Sequence, residues 1–599
     1  MIDHIKQLNL LDYLVVALYM LMLSGVGIYL TKFNKTVDDF FKGGGKIPWW
    51  IAGLSTFVSG FSAFMFVAAA GYTYKNGLSA VAMFTSAFWG YWLGYFVYSK
   101  KWKRARLSSP MEFLTKRYSQ ATTYYYTVLS IIPAILGLGL GIYILCIFIS
   151  SALGLVGMQF DLVIVKLSGL ELTMIVTGLV LLIYTTSGGL WAVVITDVLQ
   201  FLIILIVTLT IFPLSFSALG SGAGFWHGLE KLWSEAPAGY MSFQDVFRRP
   251  LFYLAYLVNI FIGYNAAWFI GQRYYSVQSE RDARKMAILC SGLSFLLPLC
   301  WIAPTMAARL LFPEMGKVWP QLADPTEASF VTLALTLLPH GIIGVTVSAI
   351  LAATMSSVDT ELNYVASIIV RDVYLRLKKT FALEAPSEQQ QLRLGRRMVF
   401  ILGSLAIVVA LMVQQAKGVF EFALMYYSWF TPSMLTPVML GLVYTKTPSW
   451  SAMAAVTTGL ILVLACNVVF DMSGHQYEAN VFVGVLSSAL VFFISSFWRD
   501  KNAQTRERIA AFAKDLATPA LASEAVWDIN ALSSYKVVGV LAAGIGLVLM
   551  LLTLVPASSE VHWLNFVAGF GAFVVGLMMM WYFMKKTNAV KKHFSQRMD

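Results

Sequence analysis

Residues 348–370, SAILAATMSSVDTELNYVASIIV, decide how the rest of the chain reads. Both ends of the stretch are apolar, and it has the roughly 20 residues that a helix needs to cross a bilayer. Its middle is not apolar. At helical spacing Ser356, Asp359, Thr360 and Asn363 fall at i, i+3, i+4 and i+7 on one face, and Ser357 and Glu361 adjoin that face. Ionisable groups at membrane depth are costly and by default line a cavity or pathway. A row of hydroxyl and carboxylate oxygens, without thiols or imidazoles, is the donor set of a hard cation. The alternative for the hydroxyls is a bond back to the carbonyl four residues earlier, or a polar contact between helices.

Outward from this segment the whole chain has the same solvent. Of 599 residues 58% are hydrophobic and only 12% charged, too oily for soluble domains. About fifteen apolar runs emerge, starting near Leu10, Trp49, Ser79, Thr123, Leu172, Ala192, Leu251, Met286, Gly341, Met398, Val419, Ala452, Ala479, Val537 and Leu564. The first run lacks a small-residue cleavage signal and reads as a retained helix. With the N-terminus outside, 34 of the 43 Lys and Arg side chains fall in inward-facing segments, and the tail KKTNAVKKHFSQRMD (585–599) is cytoplasmic. The net charge of +12 is therefore a topology signal rather than a nucleic-acid-binding stripe. The expected partners are the lipid bilayer and a small-molecule solute, with no nucleic acid. The longest loops, 499–535 and 219–249, hide no soluble domain; 504–527 reads as a surface helix followed by coil. The four cysteines sit in apolar runs without CxxC spacing, and the six histidines lie near run ends or outside them, against a disulfide framework, zinc site or haem.

The face around Asp359 cannot complete a cation shell alone. The second run, IAGLSTFVSGFSAFMFVAAAG (51–71), carries Ser55, Thr56, Ser59, Gly60 and Ser62 in mid-span. Such clustering permits local unwinding that frees carbonyls toward a cavity, or else close helix packing through small residues. Two other mid-run carboxylates stand out: Asp197 in WAVVITDVLQFLIIL (191–205), and Glu421, which at one turn from a helix end also reaches interfacial water.

At this point the chain resembles a known family, the sodium:solute symporters that include sodium/glucose, sodium/proline and sodium/sialate carriers. The resemblance runs from about residue 10 to 445. It rests on TVDDFFKGGGKIPWW (36–50), AAGYTYKNGLSA (69–80), TSGGLWAVVITDVLQF (186–201), GQRYYSVQSERDARK (271–285) and ILAATMSSVDTELNYVASIIVRDVY (350–374). It implies an all-α integral membrane fold with a LeuT-type core of two inverted five-helix repeats. Residues 1–48 would form an extra helix and cytoplasmic link, 49–218 the first repeat and 219–249 an extracellular loop. The second repeat would be 250–445, with accessory helices over 446–599. The resemblance further implies a multi-pass protein of the plasma (inner) membrane; a monomer is compatible with it, and the oligomeric state stays open.

Carried over by position, one sodium ion would be held by carbonyls of Val58 and Phe61 and by Ala353, Ser356 and Ser357. The second sodium of some members maps to Asp197, Ser356, Asp359 and Thr360. Asp359 replaces a serine of those members, so this position suits a second sodium, a proton, or tuning of the first site. The polar set that holds sugar hydroxyls in the galactose-binding member maps to Met65, Phe84 and Leu424 and is absent. The sialate carriers' arginine has no counterpart in 122–150, which holds no cation. Candidate solute contacts are Ser62, Met65, Met83, Phe84, Tyr264, Asn265, Trp268, Glu421 and Tyr426. Stacking with a few amide and hydroxyl contacts suits a small neutral or sugar-like solute.

The expected function is sodium-coupled symport of a small organic solute, a sugar or sugar derivative, by alternating access. Proton coupling through Asp359, and an amino acid or organic acid as solute, remain open alternatives. A membrane enzyme is disfavoured by the lack of a mid-membrane histidine or of a nucleophile with a neighbouring base. A transporter-like sensor would need an appended cytoplasmic domain.

Overall fold

The computed structural model describes residues 5–598 other than 31–46, 108, 110, 162–165, 186–189, 382, 383, 385, 415–417, 470–473, 521–528 and 556–558. The motif segments at 36–46 and 186–189, and the coil at 521–527, lie outside the described residues. Helices dominate. The departures from the all-α expectation among the described residues are a short antiparallel strand pair, β1 (Gln159–Asp161) with β2 (Lys166–Ser168), and an isolated parallel bridge between Ile47 and Val277.

The helices that position the site are, in chain order, α1 (Leu10–Leu30), α2 (Trp49–Ser59), α3 (Ala68–Asn76), α4 (Ser79–Phe84) and α5 (Ala87–Leu93). They continue with α6 (Gln120–Ala152), α7 (Gly169–Thr185), α8 (Leu190–Leu219), α9 (Pro250–Ala266) and α10 (Trp268–Ser276). Next come α11 (Glu280–Leu311), α12 (Ser329–Leu337), α13 (Ile342–Ile368), α14 (Glu388–Val413) and α15 (Val419–Gly441). The last are α16 (Ser451–Val469), α17 (Gln476–Ile494), α18 (Ala503–Ala517), α19 (Ile529–Leu552) and α20 (Ser559–Met598). Among the described residues nine helices are individually long and apolar enough to span a membrane. Two more spans are bent pairs, Trp49–Ser59 with Ala63–Asn76 at 54° and Pro250–Ala266 with Trp268–Ser276 at 42°. The run starting near Ser79 is segmented: α4 and α5 are followed by a π-turn over Gly94–Tyr98.

Both bends have local causes. After α2, Ser62 is extended (φ −121°, ψ −175°) and its hydroxyl accepts the Phe64 N–H at 3.2 Å, opening a 3-10 turn, Ala63–Met65, before α3. Between α9 and α10, Ala267 is extended (φ −60°, ψ 136°). One extended residue interrupts the i to i−4 ladder and turns carbonyls away from the helix axis.

Helix α13 is the axis of the bundle: 94% of its most apolar window is buried inside the protein, against 17% for α20. Its N-terminus is held by α1. Asp12 accepts the N–H groups of Gly341 (2.6 Å) and Gly344 (3.0 Å), and its other oxygen meets His340 Nδ1 at 2.7 Å. A carboxylate on free amides at a helix start contributes about 0.5–2 kcal/mol. The approach is tight, since a Cβ on Gly344 would lie 2.6 Å from the Asp12 carbonyl oxygen.

A second buried carboxylate ties three elements together. Glu327, in the 3-10 turn Pro325–Ala328 that leads into α12, accepts the N–H of Val419 at 2.7 Å at the start of α15. Gly71 of α3 packs on it so closely that a Cβ there would sit 3.2 Å from Glu327 Cα. Burial pushes the Glu327 carboxyl up to about 7, against the Val419 hydrogen bond, which favours the charged form. Elsewhere, Glu280 at the start of α11 takes a two-pronged bond from Arg104 (2.8 and 3.0 Å) and the Ala520 N–H at 2.6 Å. Helix α18 packs there too, its Phe512 ring 5.8 Å from that of Phe113. Arg104, Glu280 and the α18 end are thus brought together through these contacts.

Candidate functional site

The break after α2 lies against the middle of α13. The Ser59 hydroxyl is 3.4 Å from that of Ser356 and 3.3 Å from that of Thr360. The Ser357 hydroxyl donates to the carbonyls of Ser59 (3.1 Å) and Ala353 (3.3 Å). Just past the break the Ala63 N–H donates to Thr354 Oγ1 at 3.2 Å. The Val58 carbonyl accepts the Phe61 N–H at 2.9 Å, while the Phe61 carbonyl accepts no hydrogen bond among the described residues. Hydroxyls do bond back one turn, as Ser357 does, but the same hydroxyl also bridges two helices, so the polar face is shared between α13 and the break.

Helix α8 brings Asp197 to this cluster. It is fully buried, and its Oδ2 accepts the Ser55 hydroxyl at 2.5 Å. Its Oδ1 has no hydrogen-bond partner among the described residues. A buried carboxylate oxygen left bare is expensive unless a cation completes it. Asp359 accepts the hydroxyl of Thr185 at the end of α7.

Arg273 belongs to the cluster as well. Its guanidinium reaches Thr360 Oγ1 at 3.1 Å and Ser55 Oγ at 3.4 Å, and lies 3.9 Å from Asp197 Oδ2. In the sequence it counts as a loop cation; in the structure it is 1% exposed on the half-helix α10. Two carboxylates and one guanidinium leave this buried patch with one net negative charge when all are ionised, one positive charge short of neutrality. The donor set around it is oxygen, which suits sodium as transported cargo.

Beside the cluster opens a cavity of about 360 Å³ between α2, α5, α6, α9, α13 and α15. Ser62, Met65, Met83, Phe84, Tyr264 and Tyr426, all expected as solute contacts, line it. The structure does not bring Asn265, Trp268 or Glu421 to its wall. Asn265 spends its amide on the carbonyls of Gly90 (3.0 Å) and Phe261 (2.8 Å). Trp268 packs among Trp102, Phe113 and Tyr126. Glu421 is exposed in the first turn of α15. The carboxylate that does line the cavity is Glu361, together with Ser59, Ser357 and Thr360.

Known proteins resemble this chain in sequence and in fold. The chain is 25% identical to a sodium/glucose cotransporter of Vibrio parahaemolyticus over 484 residues, 76% of this chain and 84% of that protein. It is 23% identical to a sodium/sialic acid symporter of Aliivibrio fischeri, covering 85% and 98% of the two chains. It is 27% identical to the human sodium/myo-inositol cotransporter 2, over 75% and 69%. The solved substrate-bound, outward-open form of a Na+-coupled sialic acid symporter superposes with a TM-score of 0.67 at 20% identity, covering 82% of this chain and 98% of that one, so the fold is shared. The family profile described as sodium:solute symporter family matches residues 40–459, well over half of the sequence. The chain belongs to the sodium:solute symporter family.

Proposed function

We propose that this protein is a sodium-coupled symporter that imports a small organic solute, a sugar or sugar derivative, by alternating access. The observation that carries the reading is the junction of the broken α2 with the α13 hydroxyls, beside a buried Asp197 oxygen that has no hydrogen-bond partner among the described residues, at the wall of a cavity. One sodium ion sits between Val58, Phe61, Ala353, Ser356 and Ser357. A second sits between Asp197, Ser356, Asp359 and Thr360. The names of the relatives, which carry glucose, sialic acid or myo-inositol with sodium, support both the ion and the solute class.

The core comprises two repeats, 49–218 and 250–445, each beginning with one of the two bent helix pairs. With α1, the segmented 79–98 stretch, α7 and α15 counted beside the nine long helices and the two bent pairs, the chain crosses the inner membrane fifteen times, N-terminus outside and C-terminus inside. Residues 219–249 face outward and 446–599 add accessory helices. Sodium biases the carrier toward the outward-open form only through tighter binding to that form than to the inward-open one. Each sodium moved inward contributes about 2.3 kcal/mol per 100 mV, so two give about twice the electrical drive of one.

The test is uptake into vesicles holding the purified full chain, with glucose, galactose, myo-inositol and sialic acid as labelled solutes. An imposed inward sodium gradient is expected to drive accumulation, and Ser356→Ala to abolish the sodium dependence. Uptake indifferent to sodium and to Ser356→Ala overturns the reading. Uptake that persists with potassium in place of sodium at fixed pH, and follows a proton gradient, assigns the coupling to Asp359 and a proton instead.

A further inference from the structure

Three carboxylates of the central bundle differ in what the fold does with them. Asp197 is taken up by Ser55 and faces Arg273, and Asp359 is taken up by Thr185. Glu361 is taken up by nothing: its side chain makes no hydrogen bond or ion pair with any described residue. It stands one helical turn beyond Ser357 on α13, and its accessible side opens into the cavity. It is the only charged side chain among the lining residues, and no Lys, Arg or His lines the wall with it. The surrounding wall is rich in phenol rings: Tyr256, Tyr264, Tyr426, Tyr427 and Tyr477 all line the same space.

An unpartnered carboxylate in a membrane-buried cavity keeps its charge only where a counter-charge arrives with a ligand. Aromatic faces around the same space attract cations through their quadrupoles, most strongly where water is excluded. A sodium ion would need four or more further oxygens about Glu361, whereas an organic ammonium is satisfied by one carboxylate and ring faces. We propose that Glu361 is a solute-binding residue, and that the solute carries a protonated amine, as an amino sugar or hydroxylated amine does. The inference rests on the symporter reading and narrows its solute class. It sets this cavity apart from one that clamps a carboxylate, because an anionic solute would meet Glu361 with like charge and no basic side chain among the lining residues.

The experiment is thermal unfolding of the purified full chain in detergent, with sodium or potassium, against matched hexoses. Glucosamine and mannosamine carry the amine, glucose and mannose replace it with hydroxyl, and glucuronate carries a carboxylate; ethanolamine and choline probe the ammonium alone. Amine-bearing probes are expected to stabilise the protein in sodium, and the neutral and anionic probes to do so at least tenfold more weakly in concentration. Glu361→Gln is expected to weaken the amine probe by about ten- to a hundredfold, the loss of one charge-assisted hydrogen bond. The sodium-only stabilisation should survive in that variant, which shows that it is folded. Stabilisation led by glucose or glucuronate, no stabilisation by any amine probe, or an amine effect unchanged in Glu361→Gln overturns the proposal. Loss of sodium stabilisation in the unaltered protein would instead count against the symporter reading itself.

Discussion

Replacing Glu327 by Gln removes a titratable proton from a buried junction while keeping an oxygen that can accept the Val419 N–H. The carboxyl shifts from an ordinary value of 4.5 to about 7 in the folded protein because it is buried, at 4% exposure, where α3, α12 and α15 meet. A raised carboxyl means that the folded state holds the proton longer than the unfolded chain. Below pH 4.5 both are protonated and the group costs nothing. Between 4.5 and about 7 the unfolded chain ionises first, so folding stability falls as pH rises, and above about 7 the loss levels off. Two and a half pH units correspond to about 3 kcal/mol. Thermal unfolding of the unaltered protein and Glu327→Gln in detergent, from pH 4.5 to 8.5, isolates this contribution, because all other groups titrate in both. The variant is expected to gain on the unaltered protein as pH rises, by about 3 kcal/mol at pH 8. A stability difference that stays flat with pH, or that turns against the variant at high pH, refutes the argument and makes Glu327 a stabilising anion at the start of α15.

Two further outcomes follow from the packing and the cation cluster. Gly344→Ala places a Cβ 2.6 Å from the Asp12 carbonyl oxygen and is expected to push α1 off the start of α13. The loss of that cap and the overpacking together cost about 2–4 kcal/mol in thermal unfolding, and an unchanged midpoint would contradict the docking. Asp359→Asn is expected to lower the Hill coefficient for sodium activation of uptake from about two to about one, as one charge fewer moves per cycle. A coefficient of one in the unaltered protein contradicts the second sodium.

The oxygen face of α13 was legible because helical spacing alone collects Ser356, Asp359 and Thr360, and a polar row in an apolar span admits few explanations. The partner break was legible from Ser59, Gly60 and Ser62, although spacing could not decide between unwinding and close packing; the extended Ser62 decides it. Arg273 was lost in the loops because α10 is only nine residues long and follows an extended Ala267, so hydropathy places its C-terminal half outside the bilayer. The available signal was the polar pair Gln272–Arg273 inside a short apolar half-helix. Glu421 and Glu361 exchanged places for a related reason. Proximity to a helix end says nothing about direction, and the bundle turns Glu421 outward while the α13 face carries Glu361 into the cavity. Asn265 and Trp268 read as solute contacts through their amide and ring; tertiary packing spends them on carbonyls and rings instead.

The central claim is that sodium binds where the broken α2 meets α13 and Asp197. Binding of radioactive sodium to the purified full chain tests it without knowledge of the solute. Saturable binding that excess unlabelled sodium displaces and potassium does not, and that is lost in Ser356→Ala and weakened in Asp197→Asn, is the outcome the account requires. Binding that potassium displaces equally, or that persists undiminished in Ser356→Ala, would contradict it.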